Sequence, residues 1–449
     1  MNSLSELPVV VIGAGPVGLA AAAQLLEHGL EPLILEAGNL VGANVREWGH
    51  VPLFSPWRYL TDRAALSLLE QEGWQRPDPE EHPKGRELVE RYLEPLAGVP
   101  AIARSLRLSH RVLAVTRFGL DRMKTTGRGD SPFLVVAEGP GGEVRIEAQA
   151  VIDASGTWST PNPLGAGGVA AQGEAELAQR IRYGIPEATG RERDRYAGRD
   201  VVVVGSGHSA QNAVLELAAL RRETGSGQVF WAVRRQQAGA LYGGGDGDQL
   251  PERAALGGRA RALVDAGEVR LVTGFLAQRL AHEGERVRIA AADGRSLLVD
   301  ELVVATGFRP RLEMLRELRI ELDPITEAPV RLAPLIDPNV HSCGTVPPHG
   351  EAELAHPESG FYIVGMKSYG RAPTFLLLTG YEQVRSVVAF LAGDLEAARR
   401  VELELPETGV CSADGCCEPG AGLEGAACSI DWRSRQEELA VVGPAGSCC

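Results

Sequence analysis

One strand–glycine turn–helix signal occurs twice in this chain, and the repetition limits the possible folds more than any other feature. The first copy is VVVIGAGPVGLAAAAQLLEHGLEPLILE. It predicts a short buried strand at Val9–Ile12, a turn, a helix from about Val17 to His28 stopped by Gly29, and a second strand from Pro32 to Leu35. Gly13-Ala14-Gly15-Pro16-Val17-Gly18 fills the G-x-G-x-x-G pattern of a dinucleotide site. Gly13 permits the tight turn, Gly15 and Pro16 bring backbone close to a pyrophosphate, and Gly18 lets the helix lie close to the strand. Glu36, at the end of the second strand, is placed to accept hydrogen bonds from a ribose diol. A glycine pattern alone is weak evidence; strand, glycines, helix, strand and acid in this order are specific.

The second copy is RDVVVVGSGHSAQNAVLELAAL. Val201–Val204 predicts a strand, Gly205-Ser206-Gly207-His208-Ser209-Ala210 the turn, and a helix follows, with Ala210 in the third glycine's place. The next strand, QVFWAVRR, ends in Arg234 and Arg235 rather than an acid. A guanidinium can bind a 2′-phosphate bidentately where a carboxylate would repel it, so this copy points to NADP. An ordinary solvated strand end is the alternative. Two further strands, AVIDASGTW (150–158) and ELVVATGFRP (301–310), end in small residues that would let the chain pass a bound cofactor. One precedes the second copy and the other follows it.

Charge and composition exclude other classes. The 449 residues carry 45 Lys and Arg against 59 Asp and Glu, a net charge of -14, which disfavours nucleic acid or an anionic membrane as partner. No apolar run approaches the ~18 residues of a spanning helix, and no signal peptide is visible. Outside the C-terminal tail the only cysteine is Cys343, which fits a reducing cytoplasm.

With these motifs in place, the chain over roughly residues 7–395 resembles the flavoproteins that have two dinucleotide-binding domains, one for FAD and a second, inserted one for NAD(P)H. The resemblance implies an α/β fold of two Rossmann-like domains. The FAD domain would comprise residues 1–165 and 311–400, the NAD(P)H domain 166–310, and a tail would occupy 401–449. FAD contacts would come from Gly13, Gly15, Pro16, Gly18, Glu36, Val112, Ala154, Gly156 and Thr374. NADPH contacts would come from Gly205, Gly207, His208, Ser209, Ala210, Arg234 and Arg235, with Thr306 and Gly307 on the returning linker. The segment GFYIVGMKSYGRAPTFLLLTGYEQVRSVVAFLAGD (360–394) resembles the last FAD segment, with a helix from about Pro373-Thr374 whose dipole would stabilise negative charge on reduced flavin. Met366-Lys367 stands there where many relatives have an acid against the ribityl chain. A homo-oligomer is also implied.

Disulfide reductases of this group carry a cysteine pair shortly after the first two strands, or a C-x-x-C in the nicotinamide domain. Neither GANVREWGHVPLFSPWRYL (42–60) nor residues 166–310 contain a cysteine. That stretch, and the helix expected over GRELVERYLEPLAG (85–98), resemble the flavin-containing monooxygenases, more closely those of arsenic-resistance gene clusters. The F-x-G-x-x-x-H-x-x-x-Y/F fingerprint of typical flavin monooxygenases is missing, residues 168–186 reading GVAAQGEAELAQRIRYGIP. The resemblance implies hydride transfer from NADPH to flavin and oxygenation of a soft nucleophile, with water excluded. Trp48, Pro52, Phe54 and Trp57 could wall such a site or simply belong to the core. Asn44 and His50 are the polar groups to examine as catalytic, each with a structural alternative.

Two cysteine- or histidine-bearing clusters remain. His341, Cys343, His349 and His356 lie in a Pro-rich loop, either as a soft-metal site or, since the spacing matches no closed zinc pattern, as ordinary loop residues. Cys411, Cys416, Cys417, Cys428, Cys448 and Cys449 lie in a tail without apolar periodicity, which predicts a flexible segment. Adjacent cysteines make a strained mutual disulfide but can offer two thiolates to one soft ion such as arsenite, or the tail is inert. Three functions stay open: an NADPH-dependent FAD monooxygenase acting on a soft substrate, with arsenicals among the candidates; a reductase using the tail thiols; and a metalloid-binding protein.

Overall fold

The computed structural model describes residues 4–243, 251–340, 346–373 and 375–403; the tail cysteines, His341, Cys343 and Thr374 lie outside them. The described residues contain two five-stranded sheets with the same internal order. In the first, Val9–Ile12 sits between Pro32–Leu35 and Ala150–Asp153, with Leu106–Arg107 and Phe361–Ile363 at the edges, and every pairing is parallel. In the second, Val201–Val204 sits between Val229–Ala232 and Glu301–Val304, with Val269–Val272 and Ile181–Tyr183 outside, again all parallel. Val9–Ile12 and Val201–Val204 are buried at every position, as β-branched runs covered on both faces should be, with helices on one face and a three-stranded antiparallel sheet on the other. In each sheet the chain leaves to one side of the glycine-turn strand and returns on the other, which opens a crevice at the carboxyl ends of the strands.

A three-stranded antiparallel sheet precedes each returning strand, Arg111–Arg117 to Gly142–Ala148 in one case and Ala277–Glu283 to Ser296–Val299 in the other. The fold is therefore α/β with two Rossmann-like sheets, as the repeated motif predicts. The predicted strand limits at Val9–Ile12, Pro32–Leu35 and Val201–Val204 are the observed ones.

Two expectations shift. The last helix begins at Leu377, not near Pro373-Thr374, because Leu376 is still extended and first accepts helical bonds from Thr379 and Gly380. The helix over 85–98 is interrupted by a π-helical turn, Val89–Leu93, ahead of Pro95. Pro95 has no N–H to give to the Arg91 carbonyl; the Trp74 indole Nε1 donates to that oxygen instead, at 2.9 Å. The helix thus continues past a proline with its acceptor satisfied.

Lys367 and Asp153 form an ion pair of 2.6 Å with neither side chain exposed. Asp153 also accepts from the Ser155 amide and hydroxyl, and Lys367 reaches the same hydroxyl. The pair ties the end of Ala150–Asp153 to the turn after Phe361–Ile363 and cancels a charge that water cannot reach. Removing one member leaves the other buried and uncompensated, at a cost of about 3–5 kcal/mol. Urea unfolding of Lys367→Met should therefore show a loss of that size, and Lys367→Met/Asp153→Asn should recover most of it.

Candidate cofactor-binding cleft

The two glycine turns are built on the same close approach. Gly13 has φ +102°, and a Cβ there would lie 2.9 Å from the Ala154 carbonyl oxygen at the end of the neighbouring strand. Gly205 has φ +143°, and its Cβ would overlap the Ala305 carbonyl outright. Gly205 is also fixed by the Trp231 indole, which donates to its carbonyl at 2.8 Å. Gly18 lies on the Gly13 carbonyl and has no room for a side chain, so the helix is held close to the turn. Ala210, the third position of the second turn, is wholly buried.

Gly15, Gly156 and Gly207 differ, since a Cβ on any of them would meet nothing within 4 Å. These are the faces of the turns left open to a ligand. Helices Pro16–Glu27 and His208–Thr224 begin at Gly15 and Gly207 with no side-chain cap. Their first N–H groups are thus left for an anion, as dinucleotide pyrophosphates require. Glu36 accepts from the Ala14 and Gly38 amides at 2.7 Å each. Those two bonds fix its carboxylate and leave about two of its four acceptor sites for a ribose diol. The residues present fit FAD in the first half and a nicotinamide dinucleotide in the second. Val112 buries its side chain in the core, so it has only main chain to offer.

The second turn opens into a cleft of about 460 Å³. Its described lining includes Arg234, Arg235, Arg253 and Arg371 and no Asp or Glu, in a chain whose net charge is -14. His208, Ser209, Thr306 and Gly307 line it as well, with Met366 and Ala372 from the last segment. Arg234 is steadied by a 3.1 Å bond to the Ala166 carbonyl.

The linkers between the halves clasp each other, which the sequence did not reveal. Asn162 donates from its backbone to Gly307 and from its side chain to Thr306, accepts from the Thr306 hydroxyl, and receives Arg309 Nε. Trp158 stacks on Phe308, with ring centroids 4.6 Å apart, and Trp48 leans on Trp158 at 6.5 Å. An aromatic one or two residues after the glycine, in TGF and SGTW, was the available signal.

Of the expected wall, Trp48 reaches Trp158 on the first linker, and Phe54 reaches the second half, lying edge-on to His208 at 5.2 Å. Trp57 instead is buried in the first core, with Arg91 over its ring, and Pro52 is exposed and pairs with Lys84. Asn44 is exposed on a short helix, Ala43–Glu47. His50 faces the Pro186–Glu187 segment, its Nε2 is buried without a partner, and burial lowers its pKa. Lys367, neighbour of Met366 in the last segment, is spent on Asp153.

His349 and His356 do not share a site. His349 bonds the Pro347 carbonyl and Gln383, while His356 accepts weakly from the Glu321 amide and stacks on Phe361. Among the described residues no group of His, Cys, Asp and Glu could hold a metal. Burial pushes the His356 pKa down to about 4. A lowered value keeps the folded-state ring neutral while the unfolded chain takes up a proton below pH 6.5. Stability should therefore fall from pH 6.5 to about 4, by on the order of 3 kcal/mol from this residue. Chemical unfolding of His356→Leu across that window should show a shallower pH slope than the parent.

Arg234→Ala/Arg235→Ala should raise KM for NADPH by roughly 10- to 100-fold, the worth of a charge-assisted contact, and leave KM for NADH nearly unchanged. Steady-state kinetics with both nucleotides checks this.

The model of the pyridine nucleotide-disulphide oxidoreductase family matches residues 10–331. Ferredoxin–NADP reductase of Lactobacillus gasseri is 23% identical over 326 residues, 71% of this chain and 80% of that one. The enzyme of the same name from Ignicoccus hospitalis is 26% identical over 321 residues, 70% and 81% of the two chains. Among solved structures, bacillithiol disulfide reductase from Bacillus cereus aligns with a TM-score of 0.61 at 21% identity, over 86% of this chain and 99% of that one. A flavin monooxygenase from Stenotrophomonas maltophilia aligns with 0.57 at 22%, over 88% and 99%. At these identities the structural likeness is one of fold.

Proposed function

Since the chain belongs to the pyridine nucleotide-disulphide oxidoreductase family and is an oxidoreductase using FAD and NAD(P)H, we propose that NADPH is its hydride donor and dioxygen its electron acceptor. The product would be an oxygenated soft nucleophile, with arsenicals among the candidate substrates. The observation that carries this reading is the distribution of thiols: residues 1–342 contain no cysteine, so neither glycine-turn half has a dithiol to receive electrons. We assign residues 1–165 and 311–400 to FAD and 166–310 to NADPH.

Bound FAD supplies the exchange of electrons between nicotinamide and dioxygen. The chain's own residues would hold, orient and shield it. Gly15, Gly156 and the uncapped start of helix Pro16–Glu27 offer a cradle for the flavin nucleotide, and Glu36 offers a fixed acceptor for its ribose. The first turn of helix Leu377–Leu391 packs through Gly380 on Val17, beside that cradle, so its dipole favours negative charge there. Arg234 and Arg235 would select the phosphorylated nicotinamide nucleotide. Trp48, Trp158 and Phe308 form an apolar stack that would keep water from the reacting atoms. The adjacent pairs Cys416-Cys417 and Cys448-Cys449 are chemically suited to capture a thiophilic ion and present it as substrate.

Oxygen-electrode assays of the FAD-loaded protein with NADPH test the proposal. Addition of arsenite or a thioether should stimulate oxygen uptake, and a variant with all six tail cysteines changed to Ser should keep most of the turnover. Anaerobic NADPH oxidation coupled to a disulfide, and abolished in that variant, would establish a thiol reductase instead.

A further inference from the structure

We propose that Arg371, carried by the segment that also completes the flavin half, binds a phosphate of the nicotinamide dinucleotide and so makes nucleotide binding draw on both halves of the molecule. This rests on the NADPH reading above and deepens it. Three observations converge on the residue.

The first is its place. Arg371, Ala372 and Pro373 line the cleft opposite the second glycine turn, and the Arg371 guanidinium lies beside Gly168. The neighbouring Ala166 carbonyl already holds Arg234 and the Gly168 carbonyl holds Arg309, so the 165–168 turn has arginines from both halves against it.

The second is its lack of a partner. Arg309 bonds Asn162 and Gly168, and Arg385 bonds Glu382. The Arg371 side chain, by contrast, is exposed and has no hydrogen bond or ion pair among the described residues. No described acid lines the cleft to neutralise it. In a chain of net charge -14, the Arg371 guanidinium facing a cleft whose described lining holds no acid makes a local positive field that suits a polyanion.

The third is rigidity. Gly370 has φ +57°, and a Cβ there would overlap the Thr326 carbonyl. The Arg371 amide donates to that same carbonyl at 2.6 Å. Thr326 is fixed in turn by Asp323, whose Oδ1 accepts from the Ile325 and Thr326 amides and the Thr326 hydroxyl. The backbone that presents Arg371 is therefore set before any ligand arrives, which lowers the entropy lost on binding.

The dinucleotide has two anionic parts, the pyrophosphate, shared by NAD and NADP, and the 2′-phosphate, found only in NADP. A bidentate guanidinium–phosphate contact suits either. The nicotinamide end of the oxidised nucleotide is cationic and offers the guanidinium nothing.

Titration of the oxidised FAD-loaded protein with NADP+ and NAD+ tests the proposal. Arg371→Ala should weaken NADP+ binding by roughly 10- to 100-fold, with flavin content and thermal unfolding unchanged, and Arg371→Lys should recover part of the loss. An equal loss for NAD+ assigns the contact to the pyrophosphate; a loss confined to NADP+ assigns it to the 2′-phosphate. Unchanged affinity for both nucleotides, with or without a raised KM for an oxyanionic substrate, overturns the proposal. Failure of the parent protein to bind NADP+ at all would be a failure of the NADPH reading, separate from any effect of Arg371.

Discussion

The structure depends on two places where a side chain cannot exist. At Gly13 and at Gly205 the backbone passes so close to the carbonyl of the neighbouring strand's end, at Ala154 and Ala305, that a Cβ would collide with it. Both glycines also have positive φ, a conformation costly for any other residue. These approaches set how near each linker strand lies to its glycine turn. They leave the faces of Gly15 and Gly207 open toward the crevices. Any Cβ added at the first glycines would push the linkers away and displace both crevices with them.

From that constraint the remaining organisation follows. The linkers run on from Ala154 and Ala305 into each other, joined by Asn162 to Thr306 and Gly307 and by the stacking of Trp158 on Phe308. The first linker is anchored further by Asp153, which the buried Lys367 neutralises. The last segment, fixed by that pair, then brings Met366 and Arg371 to the cleft facing the second turn. Charge is distributed to match. The chain is acidic overall, yet the described lining of this cleft carries arginines and no acid, and two described acids near it in sequence are engaged elsewhere. Glu174 holds the Leu164 and Ala171 amides, and Glu301 takes Arg180, Arg195 and Arg199.

Much of this was legible in the sequence because it is local. Strand limits, glycine turns and the acid after the second strand depend on residues within one βα unit, so periodicity and turn chemistry suffice. What was not legible depends on residues far apart in the chain. Lys367 stood out only as a departure at a flavin position; its partner, 214 residues away, is set by the sheet order that places Phe361–Ile363 beside Ala150–Asp153. The expected helix runs straight through Pro95, and only tertiary packing could show the π-helical turn there and that Trp74 satisfies the freed carbonyl. Trp57 and Trp48 look alike in sequence, nine residues apart, and the fold sends one into the core and the other toward the linkers. The early start expected for the last helix failed because Leu376 stays extended, a choice its composition does not reveal.

The central claim is that one chain holds a nicotinamide nucleotide and a flavin in adjoining crevices and passes hydride between them. An anaerobic titration of the oxidised, FAD-loaded protein with NADPH tests it most directly. The account predicts that one equivalent of NADPH bleaches the flavin absorbance completely, and at a far lower concentration than NADH needs. A flavin that stays oxidised under excess NADPH, or one that NADH reduces at lower concentration, would contradict it.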